Sequence, residues 1–244
     1  MRVTFLGSGD AFGSGGRHQT CFLVDADGDR FLIDCGASSL VAMRGLGIAP
    51  NDIGLILLSH LHGDHFGGLP FFILDAQFVS RRTEPLVIAG PPTTGERLRR
   101  AMEVMFPGSA DAERAFALEV VELEAERPRR LQGVSVTPFA VRHPSGAPAF
   151  ALRVEAAGKV LAYSGDTEWT DSLIPAARGS DLFIAEAYFY EKRVPAHLDF
   201  LTLSDHLDQL ETNRLVITHM SEDMLARADG VDCEAAADGK VIEL

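Results

Sequence analysis

Three histidines and one aspartate fall within six residues of this chain, directly after the apolar segment 53–58. The four side chains are His60, His62, Asp64 and His65. An apolar run of this length predicts a buried strand, whose end would deliver all four groups into one short loop. Imidazole suits zinc and other borderline transition metals, and a carboxylate can bind or bridge such ions. A single catalytic zinc usually takes three protein ligands, so four ligands this close predict two neighbouring metal ions.

Three further residues of metal-binding type follow apolar, strand-like segments farther along the chain. His143, Asp166 and His219 each come one to three residues after such a segment. Ligands in sheet proteins gather at the ends of strands along one edge. We therefore expect these three residues to complete the site that the histidine-rich loop begins.

Strand-like and helix-like segments alternate along the 244 residues, which predicts one α/β domain over 1–244 with at least one large sheet covered by helices. Turn chemistry at 156–159 predicts a hairpin. The glycine-rich segment 7–16 does not fit a dinucleotide-binding turn, and a loop at the mouth of a site fits it better. Helices are predicted at 38–46, 69–79, 94–106, 171–177, 202–212 and 222–226.

The chain is expected to lie in the cytoplasm. Met1 leads into a strand-like segment without the pattern of a signal peptide, and no apolar run approaches the roughly 20 residues of a membrane span. Cys21, Cys35 and Cys233 are odd in number and widely spaced, so they predict reduced thiols rather than a disulfide or zinc-finger framework.

With these residues in place, the chain resembles the metallo-β-lactamase-fold hydrolases over about residues 1–224. The pattern that carries the resemblance is His60-x-His62-x-Asp64-His65, followed by His143, Asp166 and His219. The resemblance implies a four-layer αββα sandwich, with two sheets packed face to face between helices. It also implies that Asp34 supports the site from behind its ligands.

The same resemblance implies how seven ligands divide between two divalent metal ions. His60, His62 and His143 would hold one ion. Asp64, His65 and His219 would hold the second, and Asp166 would bridge the two. Zinc is the expected metal, with manganese or iron as alternatives, and a hydroxide between the metals would be the nucleophile.

Two segments, 66–70 and 163–167, resemble the ribonuclease Z branch, with its arylsulfatase-like and cyclic-phosphodiesterase relatives. In that branch a glutamate pairs with a later histidine near the scissile phosphate, and Glu186 and His197 have this place and order. A carboxylate can orient and charge an imidazole, which then donates a proton to a leaving oxygen. The predicted catalytic residues are Asp64, Glu186 and His197.

The chain departs from the transfer-RNA-processing members of that branch. Their protruding arm commonly lies between the third histidine and the bridging aspartate, but His143 and Asp166 are only 23 positions apart. Ala185 and Tyr188 stand where the branch favours histidine and threonine. A net charge of −13 repels a polyanion at long range. We therefore expect a small or cyclic phosphodiester as the substrate rather than a nucleic acid, no membrane partner, and a homodimer by analogy with relatives.

Three alternatives to a small-molecule phosphodiesterase stay open at this point. One is a transfer-RNA 3′-processing endoribonuclease, and another is a hydrolase of thioesters, lactones or sulfate esters on the same metal site. A non-catalytic scaffold is disfavoured, because all seven ligand positions are filled.

Overall fold

The structure is a computed structural model that describes all 244 residues, in 14 β-strands and seven α-helices. The strands are β1 (Arg2–Gly7), β2 (Cys21–Ala26), β3 (Asp29–Ile33), β4 (Leu55–Leu57), β5 (Leu86–Gly90), β6 (Leu118–Glu122), β7 (Arg129–Leu131), β8 (Val134–Val141), β9 (Ala149–Ala156), β10 (Lys159–Tyr163), β11 (Leu182–Glu186), β12 (Leu215–Thr218), β13 (Glu234–Ala235) and β14 (Val241–Glu243). The helices are α1 (Ser39–Gly45), α2 (Gly63–Phe66), α3 (Leu69–Phe78), α4 (Thr94–Met105), α5 (Leu173–Ala177), α6 (Phe200–Ser204) and α7 (Glu222–Leu225). None of these helices combines the length and the apolar character needed to cross a membrane.

The strands form two seven-stranded sheets of matching design. Strand order is β14-β1-β2-β3-β4-β5-β6 in the first sheet and β13-β12-β11-β10-β9-β8-β7 in the second. β3 to β6 run parallel in the first sheet, and β10 to β13 run parallel in the second. Parallel strands end at one edge of their sheet, so each sheet presents a row of strand ends that can carry a site.

Alternation along the strands sends successive side chains to opposite faces and builds three layers of core. Phe31 and Ile33 of β3 and Ile184 of β11 belong to a cluster of 26 buried residues drawn from both sheets. Leu32 belongs to a second cluster of 21 residues that also contains residues of α1, α3 and α4. A third cluster of 15 residues joins the outer face of the second sheet to α5, α6 and α7, with Phe183 in it. The predicted four-layer αββα sandwich is confirmed.

Some predicted elements differ from the structure. The predicted hairpin at 156–159 is confirmed, because Lys159 pairs with Ala156 across a turn in which Ala157 and Gly158 both have positive φ. The predicted helix at 202–212 is wrong beyond Ser204, where α6 ends. The short strands β7, β13 and β14 were not predicted, since two or three residues carry no readable periodicity.

Candidate metal centre

All seven predicted ligands come together where strand ends of the two sheets meet. Their nitrogen and oxygen atoms fall into two compact groups, within each of which the atoms lie no more than 4.8 Å apart. The first group is His60, His62 and His143, and the second is Asp64, His65, Asp166 and His219. The six other ligands divide as the resemblance implied. Asp166, which the resemblance placed between the two ions, is grouped with Asp64, His65 and His219.

Asp166 lies at the centre of the cluster. Its Oδ2 is 3.2 Å from Nε2 of His219, 3.8 Å from Nε2 of His60 and 3.9 Å from Nε2 of His143. Its Oδ1 is 3.3 Å from Nε2 of His65. One carboxylate therefore faces both groups, which is the position that a bridging ligand needs.

The motif is not a simple loop, because Asp64 and His65 lie on the one-turn helix α2. The helix places these two side chains in the second group of ligands, with Asp166 and His219. The backbone of Gly36 packs against this turn so closely that a Cβ there would stand 2.3 Å from the carbonyl oxygen of Asp64. The sequence-based expectation of one loop was therefore wrong in its local structure, although all four side chains are in the site.

The ring nitrogens that face away from the cluster have partners. His65 Nδ1 donates to Asp34 Oδ2 at 2.7 Å, and His143 Nδ1 donates to the carbonyl oxygen of Ala196 at 2.8 Å. Nδ1 of His219 lies 3.3 Å from the hydroxyl of Thr20. A hydrogen bond at Nδ1 fixes the tautomer and leaves the lone pair of Nε2 directed into the cluster, which is how histidine ligands are held in metal sites. Asp34 thus has the supporting position that the resemblance implied.

Orphaned polar atoms indicate that the cluster is shaped for cations. His60 Nε2, His65 Nε2 and Asp166 Oδ1 are buried and have no hydrogen-bond partner. Buried polar atoms without partners are rare in proteins, and each usually has an explanation such as a missing ion. All three atoms face the space between the ligands, so this donor set fits metal ions.

The charge states of the ligands support the same conclusion. Burial lowers the pKa of His60 and His143, so these imidazoles stay neutral and can bind a metal. Burial alone would raise the pKa of Asp166, but the surrounding histidines hold it well below its usual range. His65 lies between carboxylates, and their charges outweigh burial and raise its pKa well above its usual value. His60 and His143 are therefore neutral donors, whereas His65 holds a proton among carboxylates whose negative charge equally attracts a cation.

Glu186 and His197 form a hydrogen-bonded pair beside this cluster, through Oε1 of the glutamate and Nδ1 of the histidine. Glu186 ends β11 and is fully buried, and its Oε2 accepts hydrogen bonds from the backbone N–H of Thr167 at 2.8 Å and of Leu198 at 3.3 Å. The side chain of His197 stays 25% exposed. Burial disfavours the charged imidazole, but Glu186 outweighs it and raises the pKa of His197 to about 9. The pair therefore presents a protonated imidazole at the edge of the cluster.

A cavity of about 330 Å³ opens over the site. It is lined by Ala11, Phe12, His62, Gly63, Asp64, Asp166, Tyr188, His197 and His219. The expectation that the glycine-rich segment lies at the mouth of a site is confirmed by Ala11 and Phe12. The carboxylate of Asp10 accepts from the backbone N–H groups of Phe12 and Ser14, and this holds the loop in shape.

Phe12 and Tyr188 line the cavity, although no local pattern in the sequence predicts that position for them. Tyr188 is half-buried, and its ring centre is 4.7 Å from that of His197. Phe12 is 83% exposed, which is unusual for so large an apolar side chain. An aromatic residue inside a glycine-rich loop was the one available signal for its position.

Comparisons with known proteins agree with the fold and the cluster. Ribonuclease Z of Agathobacter rectalis is 25% identical over an alignment of 281 positions, which covers 94% of this chain and 90% of the relative. The crystal structure of the short form of human tRNase Z matches with a TM-score of 0.81 and 25% identity over 100% of this chain and 99% of that one. The metallo-β-lactamase-fold protein YhfI from Bacillus subtilis matches with a TM-score of 0.80 and 21% identity, covering 100% and 99%.

Fold, ligand cluster and relatives together define a metal-dependent hydrolase of the metallo-β-lactamase fold, in the branch that contains ribonuclease Z. The model of the family described as anti-Pycsar protein Apyc1 matches residues 1–236. The chain belongs to this anti-Pycsar protein Apyc1 family.

Proposed function

We propose that this protein hydrolyses small, above all cyclic, phosphodiesters with two divalent cations held by the seven-ligand cluster. The observation that carries the proposal is the Glu186–His197 pair, which lies beside the cluster and lines the same cavity through His197. A protonated imidazole next to a metal cluster suits a reaction in which an ester oxygen leaves with a negative charge. Hydrolysis of a phosphodiester is such a reaction.

Zinc is the proposed metal, since five of the seven ligands are imidazoles and the other two are carboxylates. His60, His62 and His143 would hold one ion, and Asp64, His65 and His219 the other, with Asp166 shared. When bound, the two cations would activate a water molecule near neutral pH and neutralise charge on the phosphate.

The residues of the chain have separate tasks in this proposal. Asp166 would be shared by the two cation positions, and Asp64 would help to hold the second. His197 donates its proton to the leaving ester oxygen as the bond from phosphorus to that oxygen breaks. Glu186 keeps His197 protonated and turns its Nε2 towards the cavity, because Nδ1 is bound to the carboxylate.

The size and walls of the cavity favour a small substrate. A volume of about 330 Å³ is at the lower end of the range for small-molecule sites. The interval between His143 and Asp166 holds only β9, a tight turn and β10, so no protruding arm is present there to hold a transfer RNA.

The family name describes its members as acting against Pycsar, and we extend that role to this chain.

The proposal also covers a second candidate substrate, the oligomeric state and the location of the protein. The relatives named ribonuclease Z favour an RNA substrate as the second candidate function, and the charge of −13 opposes it. We also propose a homodimer, no membrane partner and a location in the cytoplasm, where the free thiols of Cys21, Cys35 and Cys233 would stay reduced.

The test is a substrate panel on protein of measured metal content. Wild-type protein should contain close to two metal ions per chain and should hydrolyse cyclic nucleotides faster than a transfer-RNA precursor, a thioester or a lactone. Protein loaded with two ions but inert towards every phosphodiester would contradict the proposal. Faster cleavage of the transfer-RNA precursor would favour the second candidate.

His62→Ala, with His18→Ala as the matched control, tests the cluster itself. His62 belongs to the first ligand group, and its loss should remove about one metal ion and lower kcat by at least about 100-fold. His18 lies outside both ligand groups and lines a different cavity, so its variant should keep both ions and most of the activity. Metal analysis and kinetics of the two variants should separate clearly.

A further inference from the structure

Glu168 lies two residues after Asp166 and contacts two other segments of the site. Its Oε1 accepts a hydrogen bond from the backbone N–H of Ala196 at 2.8 Å. Its own backbone N–H donates to the carbonyl oxygen of Arg142 at 3.2 Å, and the backbone N–H of Arg142 donates to the hydroxyl of Thr167 at 3.1 Å. Glu168 is therefore tied to the chain immediately before His143 and to the chain immediately before His197.

Ala196 connects these two histidines through its backbone. Its carbonyl oxygen accepts from Nδ1 of His143 at 2.8 Å, and its peptide bond leads directly into His197. Ala196 has φ of +73°, in the left-handed region that residues other than glycine rarely adopt. Such a conformation costs about 1 kcal/mol or more and persists only where surrounding contacts hold it. Its hydrogen bond to Glu168 is a contact that can do so.

A second set of hydrogen bonds closes the arrangement. The backbone N–H groups of Thr167 and Leu198, one on each side of the site, both donate to Oε2 of Glu186. The segment that contains Asp166 is thus joined to the segment that contains His197 both by Glu186 and by Glu168. Glu186 contacts the imidazole of His197 directly, whereas Glu168 contacts the backbone N–H of the preceding residue, Ala196.

We propose that Glu168 is a positioning residue, which sets the place of His143 and of His197 together by holding the peptide of Ala196. The role of His197 rests on the proposed function, but the hold on His143 does not. Loss of this carboxylate frees the N–H of Ala196 and lets its carbonyl move away from His143. The metal ligand and the proton donor should then be disturbed by the same substitution.

Three variants, Glu168→Gln, Glu168→Asp and Glu168→Ala, distinguish the length of the Glu168 side chain from its charge. Glu168→Gln keeps an acceptor oxygen at the same reach without the charge, and Glu168→Asp keeps the charge on a side chain one methylene shorter. The proposal requires Glu168→Gln to resemble the wild type and Glu168→Asp to resemble Glu168→Ala. Glu191→Ala is the matched control, because Glu191 is an exposed acidic residue in the segment between β11 and α6 that also contains Ala196.

The first readout is metal affinity, measured by competition with a chelator, and it does not depend on the substrate. Glu168→Ala and Glu168→Asp should bind metal about 10–100-fold more weakly than the wild type, the usual effect of losing a group that orients a ligand. Amide hydrogen exchange at Ala196 in metal-free protein should become faster in the same two variants. The proposal would be overturned if Glu168→Ala and Glu168→Asp showed the same metal affinity and the same exchange rate at Ala196 as Glu191→Ala.

The second readout is kinetic and connects the residue to His197. At saturating metal, Glu168→Ala should lower kcat by about 10–100-fold with KM nearly constant, and the loss should be greater for a poor leaving group than for a good one. An equal loss for both leaving groups, or no recovery in Glu168→Gln, would overturn the part that concerns His197. If wild-type protein hydrolyses no phosphodiester, the proposed function fails, while affinity and exchange still decide the hold on His143.

Discussion

The protonation of His197 is decided by two neighbours acting in opposite directions. Burial disfavours its charge, and the carboxylate of Glu186 favours it more strongly, so its pKa rises to about 9. A raised pKa means that the folded protein holds this proton more tightly than the unfolded chain does. Its contribution to stability is therefore fully present below about pH 6.5, the value in an unfolded chain, and is lost as the pH rises through about 9.

Glu186→Gln should lower the pKa of His197 in metal-free protein from about 9 towards the ordinary value of about 6.5. The amide can accept a hydrogen bond but has no charge to stabilise the imidazolium. The measurement is an NMR titration of the imidazole signals, in which His206, outside the cluster, is the internal reference. Bound cations repel the proton, so the alkaline limb of kcat should lie below pH 9 in the loaded wild type and lower still in the variant. If the pKa of His197 were the same in Glu186→Gln as in the wild type, Glu186 would not be the cause of the raised value.

At the scale of elements, the ligands depend on how the chain turns after each strand. β10 ends three residues before Asp166, and Gly165 between them has φ of +61°. A Cβ at Gly165 would stand 2.6 Å from the carbonyl oxygen of Phe150. The turn therefore combines a left-handed backbone with a close approach to β9, and both favour glycine.

Gly165→Ala should destabilise the metal-free protein by roughly 2–4 kcal/mol, from the positive φ and the displaced backbone together. Gly158→Ala is the matched control, because Gly158 has φ of +70° but open space where a Cβ would stand. That variant should lose only about 1 kcal/mol. Unfolding in urea measures both losses, and equal losses would mean that the approach to Phe150 relaxes freely. Metal affinity should fall in Gly165→Ala alone, since only that turn positions a ligand.

At the scale of the whole molecule, the cluster brings both sheets together at one end of the sandwich. Ligands come from the strand ends of β4 in the first sheet and of β8, β10 and β12 in the second. Cations bound there connect the two sheets in the folded state only. A ligand that binds the folded state alone stabilises it in proportion to the logarithm of its concentration over its Kd.

Removal of the metal with a chelator should therefore lower Tm without unfolding the protein at room temperature. Metal at 100 times its Kd contributes about 2.7 kcal/mol, which for a chain of this size corresponds to roughly 5–11 °C in Tm. Calorimetry before and after chelation measures the shift, and His62→Ala should show a smaller shift than the wild type. A Tm that does not respond to chelation would contradict metal binding at this cluster.

The overall charge predicts an unusual salt dependence. A net charge of −13 slows the approach of an anionic substrate, and salt screens this repulsion. We expect kcat/KM for a cyclic phosphodiester to stay constant or rise between about 50 and 200 mM salt. A protein that binds nucleic acid through several phosphates loses about 10³–10⁵-fold in affinity over this range. A steep fall with salt would favour the RNA-processing candidate.

Much of the site could be predicted from the sequence, because the ligands obey local rules. His60 to His65 are close together in the chain, and His143, Asp166 and His219 each follow a strand whose apolar run is readable. Strand ends meet at one edge for topological reasons, so spacing along the chain translates into proximity in space. The helix at Asp64 and His65 was missed because a single turn has no periodicity.

By itself, the sequence determined the candidate ligands, an α/β domain and the acidic character of the molecule, and the resemblance to the metallo-β-lactamase-fold hydrolases added the αββα sandwich. Only the tertiary structure decided that Phe12 and Tyr188 line the cavity and that Glu168 accepts a hydrogen bond from the backbone N–H of Ala196. These contacts join residues that are tens of positions apart and leave no repeating pattern in the chain. Their partners are fixed by the packing of loops from two sheets, and that packing exists only after the sandwich has formed.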